Sequence, residues 1–215
     1  MIGDSLTFGS SLFAQFPQKL KATNLWKTTV VDAVVGRSAM TGARIIQRKK
    51  LKVNTAILVA LGTNDMMSRR EKWYPARLID EVMKAANGRP VLWLNLEYST
   101  TRRDWRARGV RFNRQLQLAT ERWPNLTIAD WDKFFTPNRK NRFPGDGVHL
   151  NVSAYRLRST FMLRSLRTWA TALYNMTTTT TTTTTLAPPS PEATPDSEPN
   201  QESQQEPEPQ AESLE

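Results

Sequence analysis

The chain has 215 residues, 39% of them hydrophobic, with 30 Lys and Arg, 20 Asp and Glu, one His and no Cys. This length predicts one domain with room for an appendage, and the missing cysteines exclude disulfide frameworks, thiolate metal sites and thiol nucleophiles. A single histidine excludes multi-histidine metal sites. No apolar run approaches the roughly 18 residues of a transmembrane helix. The N-terminus lacks the pattern of a signal peptide.

The chain opens with an apolar dipeptide that leads into a Gly-Asp-Ser block. The first two residues precede Gly3-Asp4-Ser5, and apolar residues at helical spacing continue to Leu20. This pattern predicts a short strand, a tight turn and then one helix. We therefore expect Ser5 at a strand-to-helix turn.

Strands and helices alternate through the rest of the body. Near-continuous apolar runs at 28–35, 56–61, 90–96 and 126–129 predict strands buried on both faces of a parallel sheet. Apolar residues at helical spacing predict helices over 78–86, 105–123 and 155–173. The alternation predicts an α/β fold, a doubly wound parallel sheet in a three-layer α/β/α arrangement.

The composition changes sharply near the C-terminus. Residues 177–185 are an unbroken threonine run, and 186–215 hold eight acidic residues and seven prolines without a basic or aromatic residue. We expect a folded domain at 1–174 and a disordered tail at 175–215, because such a segment cannot bury a core. A Thr/Pro stalk and an acidic segment that folds back on the basic body are two other interpretations.

Polar blocks follow the predicted strands, where ligands bind in parallel sheets. In order they are Gly3-Asp4-Ser5, Gly36-Arg37-Ser38, Gly62-Thr63-Asn64-Asp65 and Asp146-Gly147-Val148-His149. Together they resemble the SGNH/GDSL hydrolase family over about residues 2–169, essentially the whole predicted body. The resemblance implies a flavodoxin-like fold and serine esterase, lipase or acetylesterase activity.

The residue chemistry indicates the same reaction. A serine hydroxyl is a weak nucleophile at neutral pH and needs a base within hydrogen-bond reach, which a histidine supplies well. His149 is the sole histidine of the chain, and Asp146 is close enough in sequence to orient its ring. We therefore predict a catalytic triad of Ser5, His149 and Asp146.

Acyl transfer also needs donors for the oxyanion of the tetrahedral intermediate. The resemblance assigns this role to the backbone N–H of Ser5, the backbone N–H of Gly36 and the side-chain amide of Asn64. A glycine suits the second position because its missing Cβ lets the backbone approach the reacting centre. Gly42 is a less favoured alternative donor.

Two features depart from the family pattern. Family members carry a full apolar strand before the Gly-Asp-Ser block, whereas only two residues precede Gly3 here. We therefore expect a central strand with most of its length absent, and hypothesise that the chain is a fragment or begins within a longer reading frame. The second block, from Asp32 to Arg37, resembles an Asp-x-x-x-Gly-Arg form of some bacterial members.

Charged and aromatic residues near these blocks are candidates for substrate contact. The residues before 186 carry 30 basic and 12 acidic side chains, a net charge of +18. An anionic polymer could dock on the arginines that follow the fourth strand, although a solvated basic loop explains them equally simply. The candidates are Asp4, Arg37, Tyr98, Arg102 and Arg103.

The sequence thus favours a hydrolase of small acyl esters, with acetyl on a carbohydrate or cell-envelope glycan as the leading substrate. An O-acyltransferase with the same triad is one alternative. A non-catalytic module that binds an anionic polymer is another, although such a module needs neither nucleophile nor base. We expect no metal or other cofactor, no specific nucleic-acid partner, a monomer, and a place in the cell envelope or outside the cell.

Overall fold

The computed structural model describes residues 1–138 and 141–184, with the side chains of 138 and 177–184 left out. The chain divides into two compact units, Met1–Thr177 and Thr178–Glu215. Of the predicted tail at 175–215, residues 185–215 lie outside the described part. The domain boundary expected at residue 174 therefore stays a prediction.

The first unit contains one parallel five-stranded sheet with strand order β2-β1-β3-β4-β5. The strands are β1 (Ile2–Gly3), β2 (Asp32–Ala33), β3 (Ile57–Ala60), β4 (Val91–Leu94) and β5 (Leu126–Ala129). Every neighbouring pair is parallel. This confirms the predicted parallel sheet and its four apolar runs.

The two strands nearest the N-terminus are the shortest of the sheet. β1 pairs Ile2 with Asp32 of β2 on one side and with Val59 of β3 on the other. The strand expected over 28–35 is only two residues long, because β2 lies at an edge and β1, its one neighbour, offers two residues to pair with.

Eight α-helices surround the sheet in the described part of the chain. They are α1 (Ser5–Ala14), α2 (Phe16–Ala22), α3 (Ala39–Arg48), α4 (Thr63–Ser68), α5 (Tyr74–Ala86), α6 (Arg103–Arg122), α7 (Trp131–Phe135) and α8 (Val152–Thr184), with a short 3-10 helix at Thr136–Asn138. The helices predicted over 78–86, 105–123 and 155–173 are confirmed as α5, α6 and α8. None of the described helices is long and apolar enough to cross a membrane.

The helix expected to continue to Leu20 is instead two helices. Gln15 interrupts it in the left-handed region with φ of 52°. Pro17 explains the break, since its ring clashes with the carbonyl four residues earlier and it has no N–H to donate. The proline is tolerated in the first turn of α2.

Two hydrophobic clusters fill the spaces on either side of the sheet. Ile57 and Val59 of β3 pack with residues of α3, α5 and α6. Leu58 and Ala60 of the same strand pack with residues of α1, α2, α7 and α8. Alternate residues of one strand therefore enter opposite clusters, which confirms the three-layer α/β/α fold.

Candidate active site

The strand order reverses between β1 and β3, and ligands of doubly wound sheets bind beyond the carboxyl ends of the strands at such a point. Ser5 follows β1 and begins α1, and Asn64 lies in the first turn of α4 after β3. Gly36 lies in the turn after β2. The topology thus gathers three of the sequence blocks at one edge of the sheet.

The structure brings Ser5, His149 and Asp146 into one hydrogen-bonded chain. His149 Nε2 lies 2.9 Å from Ser5 Oγ, although the two residues are 144 positions apart. His149 Nδ1 lies 2.5 Å from Asp146 Oδ2. A carboxylate at Nδ1 accepts the Nδ1 proton, which leaves Nε2 to accept the hydroxyl proton of the serine.

A tight turn holds Asp146 and His149 together. Asp146 Oδ1 accepts hydrogen bonds from the backbone N–H groups of Val148 and His149, each at 2.9 Å. Desolvation raises the pKa of Asp146, but the hydrogen bonds from His149 and Val148 outweigh it, so this pKa lies below its ordinary value. Asp146 is therefore ionised at neutral pH, as an orienting partner of an imidazole must be.

The loop after β4 forms hydrogen bonds that stabilise this turn. Ser99 N–H donates to Gly147 O at 2.9 Å, and Arg102 Nε donates to Asp146 O at 2.7 Å. Gly147 has φ of +81°, and a Cβ there would come within 2.5 Å of Arg102 Cγ. The position therefore requires glycine both for its conformation and for the contact with the arginine stem.

Gly36 lies in a turn that Arg37 N–H closes on Val34 O at 3.2 Å. Its φ is +75°, and a Cβ added there would meet no atom within 4 Å. Within the described protein, the left-handed backbone is what favours glycine here. Gly42 is different, since its N–H bonds to Ser38 O within α3 and its Cα packs against Leu61, so it does not serve as the alternative donor.

Asn64 connects the loops that follow β2 and β3. Its Nδ2 donates to Arg37 O at 3.1 Å, one residue beyond Gly36. An amide nitrogen carries two protons, so one remains for a ligand. The hydrogen bond fixes the amide of Asn64 relative to the Gly36 turn.

The amino-acid sequence of the chain also matches a known protein family. The model of the GDSL-like lipase/acylhydrolase family matches residues 1–157, more than half of the chain. The chain belongs to the GDSL-like lipase/acylhydrolase family. The protein is therefore an esterase of the acylhydrolase type.

Solved structures share the fold of this acylhydrolase. A lipase/acylhydrolase from Enterococcus faecalis has a TM-score of 0.61 at 19% identity and covers 77% of this chain and 94% of its own. A lipolytic G-D-S-L family member from Veillonella parvula has 0.63 at 20% identity, with 76% and 94% covered. The C-terminal catalytic domain of Streptococcus pneumoniae peptidoglycan O-acetyltransferase A has 0.60 at 19% identity, with 78% and 90% covered. No curated protein sequence matches the chain.

Three expected substrate contacts of the acylhydrolase are buried instead. Tyr98 is 1% exposed and donates its hydroxyl to Thr63 O at 2.7 Å. Asp4, also 1% exposed, caps α1 by accepting the N–H of Leu6. Arg37 donates to Asp32 Oδ1 at 2.6 Å and to backbone carbonyls of β1 and β2. In this structure the three side chains bond to the protein, and their burial disfavours direct contact with substrate.

The other two candidates lie at the surface. Arg102 is exposed but uses Nε to support the Asp146 turn, with its guanidinium 4.8 Å from the centroid of the Trp105 ring. Arg103 lines a shallow cavity with Arg106 and Val110 of α6. A substrate role for Arg103 stays a prediction.

Sequence reasoning missed one buried cation beneath the nucleophile. Arg158 is 3% exposed and donates to Leu6 O at 3.4 Å and to Ser10 Oγ at 3.2 Å, both in α1. Burial lowers its pKa to about 10, against the opposing attraction of Asp4. The burial of Arg158 could have been predicted from its position in the apolar stripe of α8, four residues before the buried Met162.

The sequence also did not reveal the two hydrogen-bond partners of Asp65. Asp65 Oδ2 accepts the N–H of Ala39 at 2.7 Å, and Oδ1 accepts the hydroxyl of Tyr74 at 3.0 Å. This carboxylate thereby joins the N-terminal ends of α3 and α5 to α4. The side chain was visible in the third block, but its two partners are distant in sequence.

Proposed function

We propose that this acylhydrolase cleaves small acyl esters, with acetyl as the acyl group and a carbohydrate hydroxyl as the alcohol. The observation that carries the proposal is the 2.9 Å approach of His149 Nε2 to Ser5 Oγ. A base at this distance is within reach of the proton it must remove.

In the proposed mechanism Ser5 Oγ attacks the ester carbonyl while His149 takes its proton. The imidazolium that forms faces the Asp146 carboxylate, whose charge stabilises it. His149 then gives its proton to the departing alcohol oxygen, which leaves an acyl-Ser5 intermediate. Water, activated by the same histidine, attacks this ester and releases the carboxylic acid.

The oxyanion of each tetrahedral intermediate is stabilised by three donors in this proposal. Ser5 N–H belongs to the first residue of α1, where no carbonyl of the same helix can accept it. The Gly36 N–H and the second proton of Asn64 Nδ2 complete the set. All three are held by local backbone geometry or by the bond to Arg37, so little reorganisation is needed during reaction.

Labelling with a fluorophosphonate, read by intact mass, tests the nucleophile directly. We expect one adduct on the wild-type protein and none on Ser5→Ala. Hydrolysis of 4-nitrophenyl acetate should fall by several orders of magnitude in Ser5→Ala and in His149→Ala, because the pair acts as a unit. An adduct that persists in Ser5→Ala would overturn the assignment.

A chain-length series tests the acyl group. With 4-nitrophenyl acetate, butyrate and octanoate, the proposal expects kcat/KM to be highest for acetate. A maximum at octanoate would show that a long acyl chain is the natural group.

Acyl transfer is the second candidate, prompted by the shared fold with the catalytic domain of the peptidoglycan O-acetyltransferase. The side chains of His149 and Asp146 are 47% and 48% exposed, so an acceptor hydroxyl can reach the acyl-enzyme as water can. Free acetate released in equal amount to nitrophenol, in the presence of an oligosaccharide, supports hydrolysis. A deficit of free acetate with acetylated oligosaccharide formed indicates transfer.

A further inference from the structure

A polar cavity of about 450 Å³ lies among the helices that follow the second and third blocks. Small-molecule sites range from about 300 to 1,000 Å³. Its lining comes from the start of α3, from α4 with the loop after it, and from the start of α5. The lining residues that matter here are Ser38, Arg44, Asp65, Glu71, Trp73 and Arg77.

The cavity adjoins the proposed oxyanion loops. Ser38 is two residues beyond Gly36, and Asp65 directly follows Asn64. The hydrogen bond from Asn64 to Arg37 joins these two loops. Residues just beyond two of the proposed oxyanion donors therefore line the cavity.

The cavity has a rigid base. Asp65 is 2% exposed, and its two oxygens accept hydrogen bonds from Ala39 N–H and Tyr74 Oη–H. Both partners belong to helices that form the walls. The buried carboxylate is therefore satisfied by the protein and holds the walls at a set separation.

An exposed aromatic ring forms one wall. Trp73 is 56% exposed, so part of its indole ring is open to a ligand. Arg77 lies over its ring at 5.7 Å from the centroid, and the Tyr74 ring packs against it at 5.9 Å. The indole is thus held by its neighbours while much of it faces solvent.

The polar groups around this ring include both donors and an acceptor. Arg44 and Arg77 present guanidinium donors, whereas Glu71 presents a carboxylate that makes an ion pair with Arg69 at 3.8 Å. A long acyl chain would leave these charges unsolvated. A sugar ring fits the aromatic ring, the donors and the acceptor of this cavity. Its hydroxyls both donate and accept hydrogen bonds, and its C–H face packs on an aromatic ring.

We propose that this cavity is a sugar-binding subsite, with Trp73 as the platform for a ring of the alcohol part of the ester. The inference rests on the proposed function, since it adds the residues that recognise the carbohydrate. It assigns specificity to the α4–α5 region and not to the arginines at the start of α6.

Kinetics on two substrates test the subsite. The measured quantity is kcat/KM for O-acetylated xylotetraose divided by kcat/KM for 4-nitrophenyl acetate. We expect this ratio to fall at least tenfold in Trp73→Ala, through KM for the oligosaccharide, and to be largely retained in Trp73→Phe. Arg114→Ala, a change at an exposed residue of α6 outside the cavity lining, is the control for a surface substitution and should keep the wild-type ratio.

Binding without turnover gives a second readout. In Ser5→Ala protein, saturation-transfer difference NMR with xylotetraose, tetra-N-acetylglucosamine and tetragalacturonate should show contact with at least one of them. The signal should be lost when Trp73→Ala is added. Tetragalacturonate as the sole binder would still support a sugar subsite and would make the preferred sugar acidic.

The outcomes separate this proposal from the proposed function. If 4-nitrophenyl acetate hydrolysis depends on Ser5 but the ratio is unchanged in Trp73→Ala, the subsite is overturned and the esterase assignment stands. Failure of all three oligosaccharides to bind, or a fall in the ratio for Arg103→Ala only, also overturns it. Hydrolysis independent of Ser5 overturns the proposed function itself.

Discussion

The position of Ser5 depends on hydrogen bonds made by the residue before it. Asp4 Oδ1 accepts the N–H of Leu6 at 3.0 Å, and Asp4 O accepts those of Thr7 and Phe8. These bonds fix the first turn of α1, which begins at Ser5, and the Ser5 hydroxyl lies 2.9 Å from His149 Nε2. The aspartate expected to touch substrate instead places the nucleophile.

Asn64→Ala tests the proposed oxyanion hole. Loss of one preorganised donor should lower kcat by about 100-fold to 1,000-fold, with a smaller effect on KM, since the donor acts on charge that develops in the transition state. The measurement is steady-state hydrolysis of 4-nitrophenyl acetate. Ser68→Ala, which removes a hydroxyl one turn further along α4, is the control; an equal loss in both variants would contradict the role of Asn64.

A second residue-scale feature is the buried charge opposite Asp4. Burial raises the pKa of Asp4, whereas the positive charge of Arg158 and the hydrogen bonds from Leu6 and Thr63 lower it and offset part of that rise. The phenols of Tyr98 and Tyr155 also feel the Asp4 charge. Arg158 therefore offsets part of the effect of burial on Asp4.

Arg158→Met should destabilise the protein by about 3 to 5 kcal/mol at pH 7, as expected when a buried charge loses its partner. Without Arg158 the folded-state pKa of Asp4 rises further above its unfolded value, and stability is lost as pH rises through that folded-state pKa. The destabilisation should therefore be smaller at pH 5 than at pH 7. Urea denaturation at both pH values measures it.

Arg158→Lys keeps the charge and should restore most of the stability at pH 7. A destabilisation by Arg158→Met that is equal at pH 5 and pH 7 would show that lost packing, and not the charge of Asp4, is the cause.

At the scale of elements, contact between α1 and α8 sets the distance between nucleophile and base. α1 begins at Ser5, and α8 begins three residues after His149. Tyr155 of α8 packs against Gly9 of α1 and stacks on Phe13 at 5.4 Å between ring centroids. The two helices can approach this closely because α1 has a glycine at the contact.

Gly9→Ala tests this contact. A Cβ at Gly9 would lie 2.3 Å from Tyr155 Cζ and would therefore clash with the buried aromatic ring. Alanine gains up to about 1 kcal/mol of helix propensity over glycine, but overpacking costs about 1 to 3 kcal/mol. With a contact this short we expect net destabilisation of about 2 kcal/mol, measured by urea denaturation.

Gly145→Ala is the matched control, since its Cβ would meet nothing within 4 Å and its φ lies outside the left-handed region. Its unfolding free energy should stay within about 0.5 kcal/mol of wild type. Increased stability in Gly9→Ala would show that the helices separate at little cost.

At the scale of the whole molecule, the hydrophobic core found among the described residues lies within the first unit. Both clusters consist of residues up to Leu173, before the boundary at Thr177. The net charge of the two units differs in sign, because the residues before 186 carry +18 and the rest carry eight acidic side chains. Removing the second unit therefore tests the effect of its negative charge separately from the stability of the first unit.

A chain that ends at Thr177 should unfold at the same urea concentration as the full chain, because it keeps every residue of the two described clusters. Its kcat/KM for 4-nitrophenyl acetate should equal that of the full chain at both low and high salt. A difference at low salt that disappears at high salt would instead favour the acidic segment folding back on the basic body, since salt screens such attraction.

Several features of this protein follow from local patterns alone. Buried strands such as β3 and β4 are recognisable as short apolar runs, and α5 is recognisable from its apolar stripe between Pro75 and Gly88. The family blocks were recognisable because each is a short segment after a strand or before a helix. The break at Gln15 was also predictable in principle, since Pro17 was visible.

The sequence by itself determined the α/β class, the family and the identity of Ser5, His149 and Asp146 as candidates, because these depend on residue type and short spacing. Tertiary structure alone decided that Asp4, Arg37 and Tyr98 are buried, because burial depends on which distant segments pack against a side chain. It likewise decided the pairing of Arg158 with α1 and the cavity beside Trp73, since their partners are brought together only when the helices pack on the sheet.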